Sequence, residues 1–256
     1  MVRMNDEHSA ARTHEVEIDN SNRSTTPSST RFLDFIMSEW AESPAVIPAA
    51  RVAAPFAASR RAALSSQFPG QRMVIEAGSM KQRSNDTFFP FRAHSAFSHR
   101  TGWGADSEPG AVLVLDPTSG GHEATLYFRE RAGRDTEEFF QNSEIGEFWI
   151  GARPSLAQVA GDLGLPARSL AEFVATADDL TLANDELARA ASELRLVKDS
   201  YELTEMQAAV DATARGFDDV LATLGDAAAH PRGERVIEGA FHARARIDGN
   251  TVGYET

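Results

Sequence analysis

The chain has 256 residues, 42% of them hydrophobic, no cysteine, and a formal net charge of −13. Such acidity argues against a nucleic-acid partner, because phosphate backbones recruit basic surfaces. The lack of cysteine removes disulfide and thiolate chemistry and fits a reducing, cytoplasmic setting. No apolar run reaches bilayer-spanning length, and residues 1–31 lack the apolar core of a secretory signal, so neither a membrane nor export is expected.

Residues 1–30 are polar and low in complexity around Ser21–Thr30, and read as a disordered tail. Phe32, Phe35, Ile36 and Trp40 then share a helical face, giving a short amphipathic helix broken by Pro44 and Pro48. Phe56, Arg60 and Leu64 carry a second helix to the turn at Pro69-Gly70. From Arg72 the period changes. Met73–Ile75 and Ala111–Leu115 are apolar runs bounded by turn residues, as in central strands. In His122–Arg129, Ala124, Leu126 and Phe128 face one way, while Glu123, Thr125 and Tyr127 make a wetter face. Asp116–Gly121 supplies hairpin-turn chemistry between the two strands.

Ser155 is placed to cap a helix running to Leu163, with Gly164 and Pro166 ending it. After Leu180 the pattern is helical. Asn184 or Asp185 caps a helix carrying Leu187, Ala191, Leu194 and Val197. Asp199 and Glu202 open another as a capping box. Its stripe is Leu203, Met206, Val210, Phe217, Leu221 and Leu224. A third helix begins near Glu234 and ends at Gly249, with Ile237, Ala240, Phe241 and Ile247 on one side. Apolar faces at this period read as core rather than cofactor contacts.

One stretch is more specific. Arg83, Asp86, Phe89, Phe91, Arg92, Ser95, Phe97, Thr101 and Gly102 fall in the pattern R-x-x-D-x-x-F-x-F-R-x-x-S-x-F-x-x-x-T-G. Glu108–Leu115, Thr125–Phe128, Glu147–Arg153 and Glu193-Leu-Arg-Leu-Val-Lys198 follow in order. Together they resemble the aminopeptidase P (Xaa-Pro aminopeptidase) family, from about Phe56 to Thr256. The resemblance implies an α/β fold: a creatinase-like N-terminal mixed-sheet domain over 31–181, then over 182–256 the first helices of an incomplete pita-bread (α+β) domain. It also implies removal of the N-terminal residue from peptides with proline second. That bond is a tertiary amide without an N–H, which peptidases reading an extended backbone handle badly.

In the family two divalent ions, usually manganese, activate the attacking hydroxide, held by Asp, His and Glu. Those ligands follow the stretch resembling Asp248–Thr256, so this form is expected to be truncated, to bind no metal and to be inactive alone. His94 and His99 lie inside the signature but lack a carboxylate grouping with ligand geometry. The adjacent pairs Glu137-Glu138 and Asp178-Asp179 read as solvated charges.

Trp149 matches a tryptophan that, in tetrameric members, reaches into a neighbouring subunit's pocket, where an indole face suits proline. By its pattern alone it reads as a half-buried residue at a strand end. Arg83, Asp86 and Arg92 read as a buried structural ion-pair network, with Ser95 and Gly102 completing the signature. No catalytic residue is assigned. The expected partners are proline-containing peptides and, in full-length members, further copies of the chain. Two other readings stand beside this one: a non-catalytic assembly or regulatory module, and an Xaa-Pro dipeptidase relative. The segment 174–190 is shorter than the family's, which questions the last strand of the first domain and the subunit contacts. The later helices, lacking their usual sheet, are expected to be labile, to self-associate or to pack back.

Overall fold

The computed structural model describes residues 29–42, 46–85, 87–142, 145–249 and 252–253. The expected disordered tail falls outside these residues except at its end, where Ser29 caps the first helix and Thr30 begins it. In chain order the elements are α1 (Thr30–Met37), α2 (Ala53–Ser65), β1 (Met73–Glu76), β2 (Gln82–Ser84), β3 (Thr87–Phe88), α3 (Ser95–Thr101), β4 (Val112–Thr118), β5 (Gly121–Phe128), α4 (Glu137–Gln141), α5 (Glu147–Ile150), α6 (Leu156–Leu163), β6 (Ala167–Ser169), a 3₁₀ turn (Leu170–Glu172), β7 (Leu180–Thr181), α7 (Asp185–Glu193), α8 (Ser200–Ala229) and α9 (Gly233–Asp248). They form two compact units. One holds residues 1–44, 81–89 and 131–153, and the other holds the remainder. Residues 182–256 thus cluster with the sheet rather than apart from it.

The larger unit is built on a five-stranded sheet in the order β6-β5-β4-β1-β7. β1, β4 and β5 are antiparallel neighbours, while β6 and β7 add in parallel at the edges. The apolar runs in β1 and β4 follow from two covered faces. Leu113, Leu115, Met73, Ile75, Leu126 and Phe128 enter the main core with Leu64, Phe97, Val159, Leu163, Leu187 and Ala191. Val74, Val112, Val114 and Tyr127 form a second cluster closed by Leu170 and Phe173. Tyr127 is therefore buried rather than wet, because the segment after β6 folds over that end of the face. The shortened segment 174–190 still supplies a strand, since Leu180 and Thr181 pair with Met73 and Val74.

Local signals set the helix ends. Ser155 and Gln158 form a capping box at α6, Asn184 caps α7, and Asp199 with Glu202 forms a second capping box at α8. Gly102 ends α3 in the left-handed region at φ 72°, and a Cβ there would meet Ala53 Cβ at 3.2 Å. Both the turn and the close helix approach call for glycine. The signature divides accordingly. Phe97 is fully buried, and the Thr101 hydroxyl donates to Phe97 O and accepts from Trp103 N. Arg83 and Arg92 are exposed and lie in different units, and Asp86 lies outside the described residues. The expected buried ion-pair network is thus not the role of these arginines. Ser95 is the exposed first residue of α3, whose cap is His94.

α8 and α9 form an antiparallel hairpin. Arg244 grips Asp219, Arg215 bonds Asp248, and Phe241 packs against Phe217 and would touch any Cβ placed at Gly216. Only Gly216 and Ala227 of α8 are buried, and its stripe of Leu203, Met206, Val210, Phe217, Leu221 and Leu224 is exposed. The periodicity marks a face suited to burial, and nothing among the described residues buries it.

In the smaller unit Leu33, Phe139 and Phe140 form a core with Phe32, Ile36 and Met37. Phe35 points out at 73% exposure, and Trp40 lies beyond the helix, since Glu39 turns the chain at φ 64°. The buried side of α1 is thus Leu33 with Phe32 and Ile36.

Candidate functional site

Trp149 sits on the short helix α5 rather than at a strand end, and its display has an identifiable cause. Glu147, two residues earlier, is buried, and its Oε1 accepts the backbone N–H of Arg153 at 2.8 Å. Arg153 is buried too; its Nη1 donates to Ile145 O at 3.1 Å and meets Glu138 Oε1 at 3.2 Å. Gly151 turns the chain between them at φ 92°. Glu147 and Arg153 thus brace the two ends of the E-F-W-I-G-A-R segment, and Trp149 is carried on the loop they close. The indole N–H donates to Phe140 O at 2.7 Å. Its polar edge is thereby satisfied inside the unit, and the residue remains 49% exposed.

An aromatic row adjoins it. Phe148 packs edge-on against Trp149 at 5.5 Å, and Trp40 contacts Phe148 and Phe139 at 6.2 and 5.0 Å. Arg134 lies over the Trp40 ring at 5.9 Å. Such a surface suits flat apolar groups and proline rings, which gain from aromatic faces without needing hydrogen-bond donors. The motif singles out Trp149 by resemblance; it does not show that Glu147, Arg153 and Glu138 brace the segment or that Trp40 joins the aromatic row. The acid–base pair six residues apart in the motif was the available signal.

In the larger unit a polar cluster joins α2, α3 and the start of α8. Arg60 Nε donates to Asp199 Oδ2 at 2.8 Å, and its Nη1 donates to His99 O at 3.1 Å. Against the opposing effect of burial, the Glu202 N–H and Arg60 hold the Asp199 carboxyl below its usual range. Burial, then the charges of Arg60 and Arg100, push the His99 imidazole down to about 4, so it is neutral at physiological pH. Arg100 is fully buried and is held by the carbonyls of Ala96 and Ala191. Burial lowers its pKa to about 10 and leaves it charged at neutral pH. Leu194 of the E-L-R-L-V-K segment packs on the main core, and Lys198 donates to Arg195 O and Leu196 O just beyond α7. The motif therefore builds the joint between α7 and α8, with the lysine satisfying carbonyls that the helix end leaves open.

His94 spends its ring nitrogen on the Ala96 N–H. Among the described residues no three His, Cys, Asp or Glu side chains converge as metal ligands would. The pair of divalent ions that the family resemblance implies thus finds no donor set there. One member of each adjacent acidic pair departs from the solvated role expected, while Asp178 is exposed as expected. Asp179 has a 4% exposed side chain bonded to Arg72 at 2.6 Å, and Glu138 pairs with Arg153. Asp179 also bonds the Thr176 N–H and hydroxyl, closing the turn that leads into β7.

Comparison with known proteins places this architecture. The family model for the aminopeptidase P N-terminal domain matches residues 57–188. Xaa-Pro aminopeptidase 2 of Streptomyces coelicolor is 43% identical over 226 residues, covering 79% of this chain and 47% of that protein. Xaa-Pro aminopeptidase 1 of the same organism is 43% identical over 220 residues, covering 77% and 44%. Among solved structures, E. coli aminopeptidase P with the inhibitor Pro-Leu superposes with a TM-score of 0.56 at 20% identity, covering 78% of this chain and 51% of that one. The zinc-substituted E. coli enzyme with product gives 0.56 at 22%, with the same coverage. The fold is that of an α/β N-terminal domain followed by helices of the pita-bread type. The chain belongs to the aminopeptidase P family. It spans about half the length of the curated relatives it matches.

Proposed function

We propose that this chain serves Xaa-Pro aminopeptidase activity by contributing an aromatic element to a proline-peptide pocket, without carrying the hydrolytic centre itself. The observation that carries this reading is the braced, half-exposed Trp149. Its N–H is satisfied internally, and an aromatic row flanks it. An indole so held contributes stacking surface at little entropic cost, and proline offers a ring with no amide N–H to satisfy. The similarity to two Xaa-Pro aminopeptidases supports the choice of substrate.

In this reading two divalent ions, manganese by resemblance, would activate the attacking water in the complete assembly. The residues described here would bind and orient the peptide. The working form is a homo-oligomer in the cytoplasm, with Trp149 reaching a neighbouring subunit. Among the described residues no helix is long and apolar enough to cross a membrane. A second reading, a non-catalytic assembly module, is favoured by the exposed apolar stripe of α8.

The test mixes the chain with a full-length Xaa-Pro aminopeptidase and measures manganese-activated cleavage of Ala-Pro tripeptides and dipeptides. The chain alone is expected to show no turnover and to retain well under one equivalent of metal after dialysis. In mixed assemblies Trp149→Ala is expected to lower kcat/KM several-fold with the melting of the chain unchanged. Turnover by the isolated chain would overturn the division of labour. Unchanged kcat/KM in assemblies shown to form would overturn the role of Trp149.

A further inference from the structure

The larger unit holds a second polar constellation, built on residues outside the family signature. Ser65 is the last residue of α2, and its Oγ lies 2.8 Å from His122 Nδ1 at the start of β5. The other ring nitrogen, Nε2, lies 2.7 Å from Gln71 O. A carbonyl can only accept, so Nε2 carries a proton, and in the neutral ring Nδ1 is then the lone-pair nitrogen facing Ser65 Oγ. The Ser65 hydroxyl donates to that lone pair. A hydroxyl on a ring nitrogen whose tautomer is fixed by a third group is the arrangement that activates serine nucleophiles.

The surroundings give this pair room. Ser65 and His122 line a cleft of about 630 Å³ shared with Ser66, Thr118, Ser119 and Arg61. That volume is of small-ligand size. The β4–β5 hairpin turns through Ser119-Gly120, with Thr118 opposite Gly121. Gly121 sits at φ 132°, and a Cβ there would come within 3.2 Å of Ser65 Oγ. A glycine at this point keeps the nucleophile uncrowded on the hairpin side.

We propose that Ser65 and His122 form an acyl-accepting dyad, a second reactive site that takes small activated esters. Ser65 Oγ attacks the ester carbonyl and forms the new C–O bond while its proton passes to His122 Nδ1. The bond to the leaving alcohol then breaks, and that alcohol takes the proton from Nδ1. Water completes the cycle, giving one proton to Nδ1 and its oxygen to the acyl carbon, and Ser65 recovers its hydrogen. The net change is ester plus water to acid plus alcohol.

The structure also bounds the substrate class. Ser65 lies at the carbonyl-rich end of α2, which does not stabilise an oxyanion. Among the described lining residues, Arg61 is the one arginine or lysine, and its buried Nη1 already donates to Arg100 O at 2.6 Å. Aryl esters, whose leaving group bears much of the charge, fit this site. Peptide bonds do not.

The test incubates the full chain with a fluorophosphonate probe and with 4-nitrophenyl acetate, locating adducts by peptide mass spectrometry. A single adduct on Ser65 is expected, with the neighbouring Ser66 unmodified as an internal control. Ser66 Oγ instead donates to Ala63 O and has no histidine partner. Ser65→Ala should abolish labelling, and His122→Gln should slow it about 100-fold. No adduct, equal modification of Ser65 and Ser66, or a His122→Gln variant labelled as fast as the parent would each overturn the proposal. If either variant fails to fold, the distribution of adducts between Ser65 and Ser66 in the parent chain decides.

Discussion

The sheet and the α8–α9 hairpin carry apolar patterns of similar strength and meet different fates. In β4, Leu113 and Val114 point to opposite faces, and both are wholly buried because helices cover one side and Leu170 and Phe173 cover the other. In α8, Val210 and Leu221 stand on an equally regular stripe and are exposed. Periodicity thus records which face of an element is built for burial. Whether cover exists is decided by the rest of the fold.

This contrast can be broken most directly by truncating side chains in both regions. Leu113→Ala should cost about 2–5 kcal/mol, as expected for a cavity in a packed core. Leu221→Ala should stay within about 0.5 kcal/mol. Paired denaturant titrations check this, and a large loss at Leu221 would mean that the hairpin is covered in solution.

Acid should find a second difference. The folded chain holds His99 near 4 against an ordinary 6.5. Between those values the unfolded chain binds a proton that the folded one refuses, so stability falls as pH falls through that window. The loss should reach about 3 kcal/mol at its lower end. His99→Gln should flatten the stability profile between pH 6.5 and 4, measured by urea midpoints. An unchanged slope would place the acid-sensitive group elsewhere.

The smallest effect concerns the joint between the two regions. Asp199→Ala removes the α8 cap and the Arg60 ion pair together. It should cost about 1–2 kcal/mol, with faster amide exchange in the first turns of α8 and none in β4. Acceleration reaching β4 would show that hairpin and sheet unfold as one.

Much of the framework was legible because its determinants are local. Ser155 with Gln158 and Asp199 with Glu202 announce their helices through side chains three residues from the groups they satisfy. The β1 and β4 runs announce themselves by length and boundaries. Tertiary charge pairs were not legible. Arg72 meets Asp179 across 107 residues and Arg60 meets Asp199 across 139, while the signature arginines Arg83 and Arg92 face out. A charged residue gives no local sign of which distant partner the chain will bring to it. The motif marks Trp149 by resemblance alone, whereas the brace that displays it depends on the Gly151 turn that brings Arg153 back to Glu147.

The attachment of the hairpin at the first turn of α8 has a mechanical consequence. α8 has 30 residues, a rod roughly 45 Å long, and first-turn side chains attach it: Tyr201 against Phe56, and Glu202 beside Arg60 and His99. A swing of about 10° at that root would carry the far tip on the order of 8 Å for a rod of this length. Arg60 therefore sits at the fulcrum of a long lever, where a sub-ångström adjustment among α2, α3 and α8 becomes a displacement of several side-chain widths at Ala229 and the turn beyond it.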